Sequence, residues 1–332
     1  MIWYKDKNDG IIISTRIRLA RNLDGIPFPN ALKDKKAAAQ KIKSAVKNSN
    51  SPLASQFDYL ELDNASSLNK LSLAEEHLVS PQMLEGEEHS VLISKDSTMS
   101  IMLMEEDHIR LQVILGGFKL DEAYDTATKL DDLIEENVDY AFDEEFGYLT
   151  ACPTNAGTGL RASVMMHLPG LVLTKNISSV ISQVNNLGIE VRGLYGEGTE
   201  ADGNLYQLSN RITMGLSETE IIERLKKVVN QVADAESKAR SLLKEKYGES
   251  SADRFYRAYG TLKYARSMTS SEAKSLLSEV MLGRAMGIIT EQGKLSPLEC
   301  MICSTPSMIS RGKNLSPEER DKARAEFLRE NI

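Results

Sequence analysis

Cysteine is scarce. Three residues in a chain of 332 cannot make a disulfide framework, so the expected compartment is a reducing one, the cytoplasm. No run approaches the roughly 18 consecutive apolar residues of a membrane-crossing helix, and no membrane contact is expected. The opening MIWYKDKNDG lacks the apolar stretch of a secretory signal. Internal repeats and low-complexity tracts are absent. The net charge is −8, from 40 basic and 48 acidic side chains. That argues against direct nucleic-acid binding, because a phosphate backbone demands a basic surface. Familiar chemical signatures are missing too. There is no GxxxxGK followed by Ser or Thr, and no GxGxxG after a strand. His77, His89, His108 and His167 show no HExxH spacing, and no GxSxG exists. Cys300 and Cys303 form a single CxxC without a second pair or a nearby histidine, so no metal held by protein ligands alone is expected.

What is present is an ordinary globular composition, 41% hydrophobic and 27% charged, in a chain long enough for about two domains. Residues 30–50 read as a lysine-rich amphipathic helix with Ala37, Ala38, Ile42 and Val46 on one side. VLIS, SIMLM and IRLQVIL alternate with period two and read as strands joined by the turns KDST and EEDH. Residues 119–145 read as a long acidic helix, with Leu120, Tyr124, Ala127, Leu130, Ile134 and Val138 at helical spacing. In CPTNAGTGLRASVMMHLP a helix is expected from Thr158 to near Pro169, and another over 176–186. GIEVRG and GNLYQLSNRITM read as further strands. Ser217 with Glu220 is a capping box opening a helix to about Lys246. Ser296-Pro297 with Glu299, and Ser316-Pro317 with Glu319, repeat that signature with proline at the first helical position. The expected class is α+β: residues 1–250 an antiparallel sheet flanked by helices, residues 251–332 an all-helical C-terminal domain, with the boundary in KYGESSAD.

Arginines recur at element ends beside small residues. Arg16 and Arg18 alternate along one strand and so share a face. Arg110 follows EEDH, Arg161 follows GTG, and Arg192 precedes GLYGEG. Arginine is poorly suited to an interior unless it meets an anion. Five such residues can clamp a polyphosphate by bidentate hydrogen bonds, and a helix N-terminus at Thr158–Arg161 would add backbone donors. Glu105, Glu106 and Asp107 sit in a connection between strands, and Glu197 in a turn; paired across a site they can bind a cation and accept its proton. Cys152 precedes a proline and a glycine-rich loop, a setting that can favour the thiolate.

STRIRLARNL, EEDHIR, CPTNAGTGLRASVMMHLP and RGLYGEGTEADGNLYQLSN together resemble the catalytic domain of the phosphagen (guanidino) kinases, in order and spacing, over about residues 11–245. Within that superfamily the chain is most similar to the bacterial protein-arginine kinases. The small-molecule enzymes carry a helical domain ahead of the STRxR strand; here that strand starts at Ser14. The resemblance implies an open site suited to an arginine on a protein surface. The last helix contains Arg320, Asp321, Lys322, Ala323, Arg324 and Ala325, which resembles the RDxxRA motif of an allosteric phosphoarginine pocket. Arg320 and Arg324, four residues apart, share a helix face and are expected to grip one phosphoryl group.

Carried over by position, the resemblance places Ser14, Thr15, Arg16, Ile17 and Arg18, then His77, Arg110, Arg161, Ala162, Ser163, Val164 and Met165, in an ATP site. Arg192, Gly193, Leu194, Tyr195, Gly196 and Glu197 complete it. Glu106 and Glu197 are expected to hold the substrate guanidinium, Glu106 as base, with Cys152 against it as a thiolate. ATP is the implied cofactor, with Mg²⁺ bound through its phosphates. The implied function is phosphorylation of protein arginines, marking proteins for Clp-type degradation and controlling a stress-response repressor. The implied partners are protein substrates with exposed arginine, an activator protein, a Clp ATPase-protease and a second copy in a homodimer. Two other readings stand beside it: a kinase of small guanidino metabolites, and a non-catalytic phosphoarginine-binding adaptor. The intact Glu106, Cys152, Arg161, Arg192 and Glu197 speak against the adaptor.

Overall fold

The computed structural model describes residues 2–5, 10–49, 51–193 and 201–332, with the backbone alone for 247–251. Its strands are β1 (Ile12–Arg21), β2 (Phe57–Glu61), β3 (Ser90–Ser94), β4 (Met99–Leu103), β5 (Ile109–Gly116), β6 (Phe142–Asp143), β7 (Gly147–Tyr148), β8 (Leu160–His167), β9 (Ile189–Gly193) and β10 (Leu205–Asn210). The helices are α1 (Lys35–Lys47), α2 (Ser67–Glu75), α3 (Leu120–Glu135), α4 (Pro169–Leu173), α5 (Ile177–Asn186), α6 (Glu218–Tyr264), α7 (Ser270–Ala285), α8 (Pro297–Cys303), α9 (Pro306–Ile309) and α10 (Pro317–Asn331). Eight strands form one sheet in the order β2-β3-β4-β5-β1-β8-β10-β9, and β6 pairs with β7 separately. The class is α+β, as expected.

Two compact units divide the chain. The first comprises residues 1–3, 15–163 and 209–226; the second comprises 4–14, 164–208 and 227–332. In the first, β2 to β5 form an antiparallel meander, with Phe57 opposite Ser94, Ser90 opposite Leu103 and Met99 opposite Val113. All five residues of β4 are buried, so the strand is covered on both faces. α3 lies on β5 and buries Leu120, Ala123, Ala127, Leu130, Leu133 and Ile134. In α1, Asp34 caps the first turn by accepting from the Ala37 N–H at 2.9 Å. Its inner face is Ala38, Ala39, Ile42, Ala45 and Val46, while Ala37 stays exposed.

Three expectations need correction. The acidic helix stops at Glu135 rather than near residue 145. Beyond it, Asp139 O accepts from Asp24 N–H (2.9 Å) and Ala141 N–H donates to Asn22 O (2.8 Å). This pairing with the end of β1 outcompetes helical periodicity. The segment after GTG is a strand, β8, not a helix. Gly159 makes its entry possible: φ is +64°, and a Cβ there would sit 2.6 Å from Ala20 O. Finally, α6 runs unbroken through KYGESSAD to Tyr264.

The second unit holds the other helical signals where they were expected. Capping boxes form at Ser296 with Glu299 and at Ser316 with Glu319. Glu236 on α6 accepts from the N–H groups of Gly170 and Leu171, both at 2.8 Å, and pairs with Arg240 at 2.7 Å. In the first unit, Ser217 and Glu220 close their box reciprocally at 2.8 and 3.3 Å.

A buried arginine ties the first unit together. Arg21 meets Asp131 of α3 through Nη2 at 2.7 Å and Nε at 3.0 Å. Its Nη1 donates to Ala20 O (3.0 Å) and Thr158 O (2.9 Å). The guanidinium lies 3.6 Å from the centre of the Tyr148 ring, and Tyr140 donates to Asp131 at 3.1 Å. Removing one partner of a buried pair leaves an uncompensated charge, at a cost of about 3–5 kcal/mol. Asp131→Ala is therefore expected to lower the unfolding free energy by that amount, read as a lower urea midpoint at an unchanged slope; a loss under about 1 kcal/mol would show that the pair is not what holds α3.

Candidate active site

Strand alternation builds the site. On β1, Arg16 and Arg18 face one way, Thr15 and Ile17 the other. Ile17 is core. Thr15 splints the turn into α3, its Oγ1 donating to Gly117 O at 2.8 Å and accepting from Lys119 N–H at 3.0 Å. Within the block carried over from Ser14 to Arg18, the Thr15 and Ile17 side chains thus face away from Arg16 and Arg18. Ser14 itself is buried, in the second unit. The strands flanking β1 are β5 and β8, which carry Arg110 and Arg161. Arg161 donates from Nη2 to Ser209 Oγ at 3.1 Å.

These four arginines repel one another. Burial, and then the positive charges of Arg16, Arg110 and Arg161, push the Arg18 guanidinium well below its ordinary value; Glu105 opposes them. Arg18 Nε is sealed from solvent with no hydrogen-bond partner. A buried cation short of acceptors among like charges is costly unless an anion joins it. The arrangement fits a polyphosphate.

The three consecutive carboxylates do three different things. Glu105, its side chain 3% exposed, pairs with Arg110 at 2.6 Å and accepts from the Ser80 hydroxyl. Asp107 is a buried anchor: Oδ1 accepts from Asn22 Nδ2 and from the Ala151 N–H, both at 2.7 Å. Only Glu106 reaches outward, 42% exposed and 3.8 Å from Arg110. Desolvation, then Asp107 and Glu105, raise its carboxyl above the ordinary value against the pull of Arg110. Because Asp107 grips Ala151, it brings the next residue, Cys152, to the Glu106 turn. The Cys152 sulfur is half-buried, 3.0 Å from Thr154 Oγ1. His108 locks the same turn from behind. Its Nδ1 accepts from the Leu23 N–H at 3.1 Å, which leaves Nε2–H to donate to Pro27 O at 3.0 Å.

Because residues 160–167 form a strand, there is no helix N-terminus at Thr158–Arg161. The Thr158 N–H donates to Thr213 O and the Leu160 N–H to Thr158 Oγ1. Ala162 and Val164 are core, and Ser163 and Met165 are buried. His77 packs edge-on against Trp3, with ring centres 5.4 Å apart. Arg192, on β9 in the second unit, is exposed and pairs with Glu190 at 2.8 Å; Gly193 ends that strand. Leu194, Tyr195, Gly196 and Glu197 lie outside the described residues.

On α10, Arg320 and Arg324 have different surroundings. Arg324, its side chain 2% exposed, donates to Ser304 O and Met268 O at 2.8 Å each and pairs with Asp321 at 2.5 Å. It staples the helical segments from inside, together with the buried Ala325. Arg320 and Ala323 are half-buried and Lys322 is exposed. Burial raises the Cys300 thiol to about 12. Among the described residues no group of three or more His, Cys, Asp or Glu is placed to hold a metal ion. No described helix is long and apolar enough to cross a membrane.

The residues not anticipated are Asn22, Asp107 as anchor, Ser80, Ser209 and Asn210. Asn210 accepts from the Ala162 N–H at 2.8 Å and donates to Leu160 O at 3.0 Å. Their only signal was membership of the matching blocks, or none for Ser80.

Residues 37–239 match the family profile of the ATP:guanido phosphotransferase C-terminal catalytic domain. Residues 249–332 match that of the protein-arginine kinase McsB C-terminal domain. The chain is 44% identical to a protein-arginine kinase of Brevibacillus brevis, over 99% of this chain and 94% of that one. It is 45% identical to one from Caldanaerobacter subterraneus, over 96% of each, and 44% identical to one from Bacillus subtilis, over 99% and 93%. Two solved structures share the fold. Lombricine kinase aligns with a TM-score of 0.61 at 24% identity, over 70% of this chain and 68% of that one. The duplicated taurocyamine kinase of Schistosoma mansoni, with bound transition-state-analogue components, also gives 0.61, at 23% identity over 79% and 38%.

Arg161→Lys keeps the charge but loses the planar fork. A charge-assisted hydrogen bond is worth about 1.5–3 kcal/mol, so affinity for a nucleoside triphosphate should fall roughly 10–100-fold in a calorimetric titration. Unchanged affinity would make Arg161 a scaffold residue.

Proposed function

This chain belongs to the protein-arginine kinases of the ATP:guanido phosphotransferase family, and we propose that it transfers the γ-phosphoryl group of ATP to arginine side chains of proteins in the cytoplasm. The observation that carries the nucleotide half of this reading is Arg18, partly buried among Arg16, Arg110 and Arg161, with its Nε sealed from solvent and Glu105 opposing their charge. A triphosphate supplies the missing negative charge. Magnesium, when bound through the phosphates, neutralises charge on the transferring group.

The acceptor half rests on Glu106. A guanidinium is a poor nucleophile: its pKa is above about 12 and its lone pairs are delocalised. It must be oriented and must lose a proton as the N–P bond forms. Glu106 is the outward-facing carboxylate of its turn and is raised above its ordinary value, which suits a base. Glu197 is proposed as its counterpart across the guanidinium, and Cys152 as a thiolate that offsets the substrate's charge without covalent attack. A base must be deprotonated to act. Activity should therefore fall as pH drops through a value above the ordinary glutamate range, and Glu106→Gln should lose about 10²–10⁴-fold in turnover while still binding ATP.

Incubation with γ-labelled ATP and a basic protein tests the whole reading. The expected product is a protein-bound label released by acid, as a phosphoramidate is. Label that survives acid, or transfer to free arginine only, contradicts it. Glu106→Gln retaining more than a tenth of wild-type turnover removes the base assignment.

The proposal extends to setting. Modified proteins would pass to a Clp-type protease, and a stress-response repressor would be controlled by the same mark, with an activator protein upstream. Residues 251–332 are proposed to dimerise the chain and bind phosphoarginine on α10, with Arg320 as the contacting guanidinium and Arg324 as the internal strut. A coupling of about 1–3 kcal/mol is typical of such a site. Arg320→Ala should abolish stimulation of the kinase by added phosphoarginine; full stimulation in that variant would move the site elsewhere.

A further inference from the structure

Beside the Cys152 loop the first unit presents a rim of exposed apolar side chains. Phe142 on β6 is 58% exposed and Met214, in the loop after β10, is 46% exposed. Phe146 and Ile212, in the same two segments, are exposed as well. The two segments are contiguous. Phe142 meets the Tyr148 ring edge-on with centres 5.2 Å apart. Tyr148 N–H donates to Gly157 O at 2.8 Å, and a Cβ on Gly157 would lie 2.9 Å from Met214 Cα. Thr213 Oγ1 then donates to Thr154 O (2.9 Å) and Ala156 O (2.7 Å), and Thr154 holds the Cys152 sulfur. The rim is thus built onto the loop that carries the thiol.

Exposed large apolar side chains edged by polar groups mark an interaction surface. The edging is acidic on the hairpin side, while exposed Arg211 borders Ile212 on the other segment. From Leu130 to Leu160 the chain has no lysine or arginine, and Glu144 and Glu145 stand exposed at the hairpin turn between Phe142 and Phe146. Such a border attracts a cationic partner and repels an acidic one.

We propose that this rim is a docking surface for the polypeptide around the target arginine, taking apolar side chains that flank it while the carboxylates draw the guanidinium inward. The proposal rests on the protein-arginine kinase reading and adds a specificity to it. A free guanidino metabolite has no flank to offer, so Phe142 and Met214 would contribute nothing to its binding.

The test uses the full chain and two arginine peptides of equal length and charge, one with Leu and Phe beside the arginine, one with Gly and Ser. The wild type should show about a tenfold higher kcat/KM for the apolar peptide, the discrimination that one well-buried apolar contact supplies. Phe142→Ser with Met214→Ser should remove that preference by raising KM for the apolar peptide alone. The KM for ATP and the kinetics with the Gly/Ser peptide should stay as they were. If the thermal midpoint of the double variant drops, Phe146→Ser, which lies outside the Tyr148 ring contact, carries the same comparison. Equal use of both peptides by the wild type, or an equal loss on both in the variants, overturns the proposal. So does a changed oligomeric state in light scattering with peptide kinetics intact, which would assign the rim to a second copy. If the wild type phosphorylates neither peptide while binding ATP, the parent reading fails and the docking role with it.

Discussion

Arg21 sits where the first unit's segments meet, and the geometry of the site depends on what it holds. Its guanidinium joins β1 to α3 through Asp131, to the entry of β8 through Thr158 O, and to the hairpin through the Tyr148 ring. Each of those segments leads to a working residue. β1 carries Arg16 and Arg18, β8 carries Arg161, and the hairpin adjoins the Cys152 loop through Gly157. A buried, multiply bonded cation is an expensive way to gain stability, but it is a directional one. It fixes the approach of the strands on which Arg16, Arg18 and Arg161 converge.

That convergence is the second constraint. Glu105 opposes the positive charges gathered around Arg18. The neighbouring carboxylates divide the remaining work, and the division follows from burial. Glu105 is spent on Arg110 and Ser80, Asp107 on Asn22 and Ala151. Glu106, left partly in solvent, keeps an unsaturated carboxylate with a raised affinity for protons. A carboxylate with a raised affinity for protons beside an arginine cluster, with the thiol loop pinned close by, suits the proposed transfer of a phosphoryl group to a group that must lose a proton.

Much of this was legible in the residues where the cause was local. The three Ser-to-Glu capping boxes depend on side chains three positions apart, and all three form. The period-two meander of β3 to β5 and the shared face of Arg16 and Arg18 follow from strand geometry alone. What stayed hidden was decided by distant partners. Leu160–His167 satisfies a helix or a strand; the Ala20–Gly159 and Ala162–Asn210 hydrogen bonds choose the strand. α3 is cut short by pairing with Asn22 and Asp24, over a hundred positions earlier in the chain. Within the blocks that resemble a nucleotide site, alternate residues of a strand face opposite ways: Thr15, Ile17, Ala162 and Val164 are buried, while Arg16, Arg18 and Arg161 are only partly so. On α10 spacing placed Arg320 and Arg324 on one face, but Ser304 and Met268, unseen from the helix, draw Arg324 inside.

The central claim is that the Arg16, Arg18, Arg110 and Arg161 cluster is a polyphosphate cradle, and its most direct test is a calorimetric comparison of AMP, ADP and ATP binding at fixed magnesium and ionic strength. Affinity should rise with each added phosphate. Arg18→Gln should lose most of the gain from AMP to ATP while keeping a native thermal midpoint. AMP binding as tightly as ATP, or a full phosphate-dependent gain in the folded Arg18→Gln protein, would contradict it.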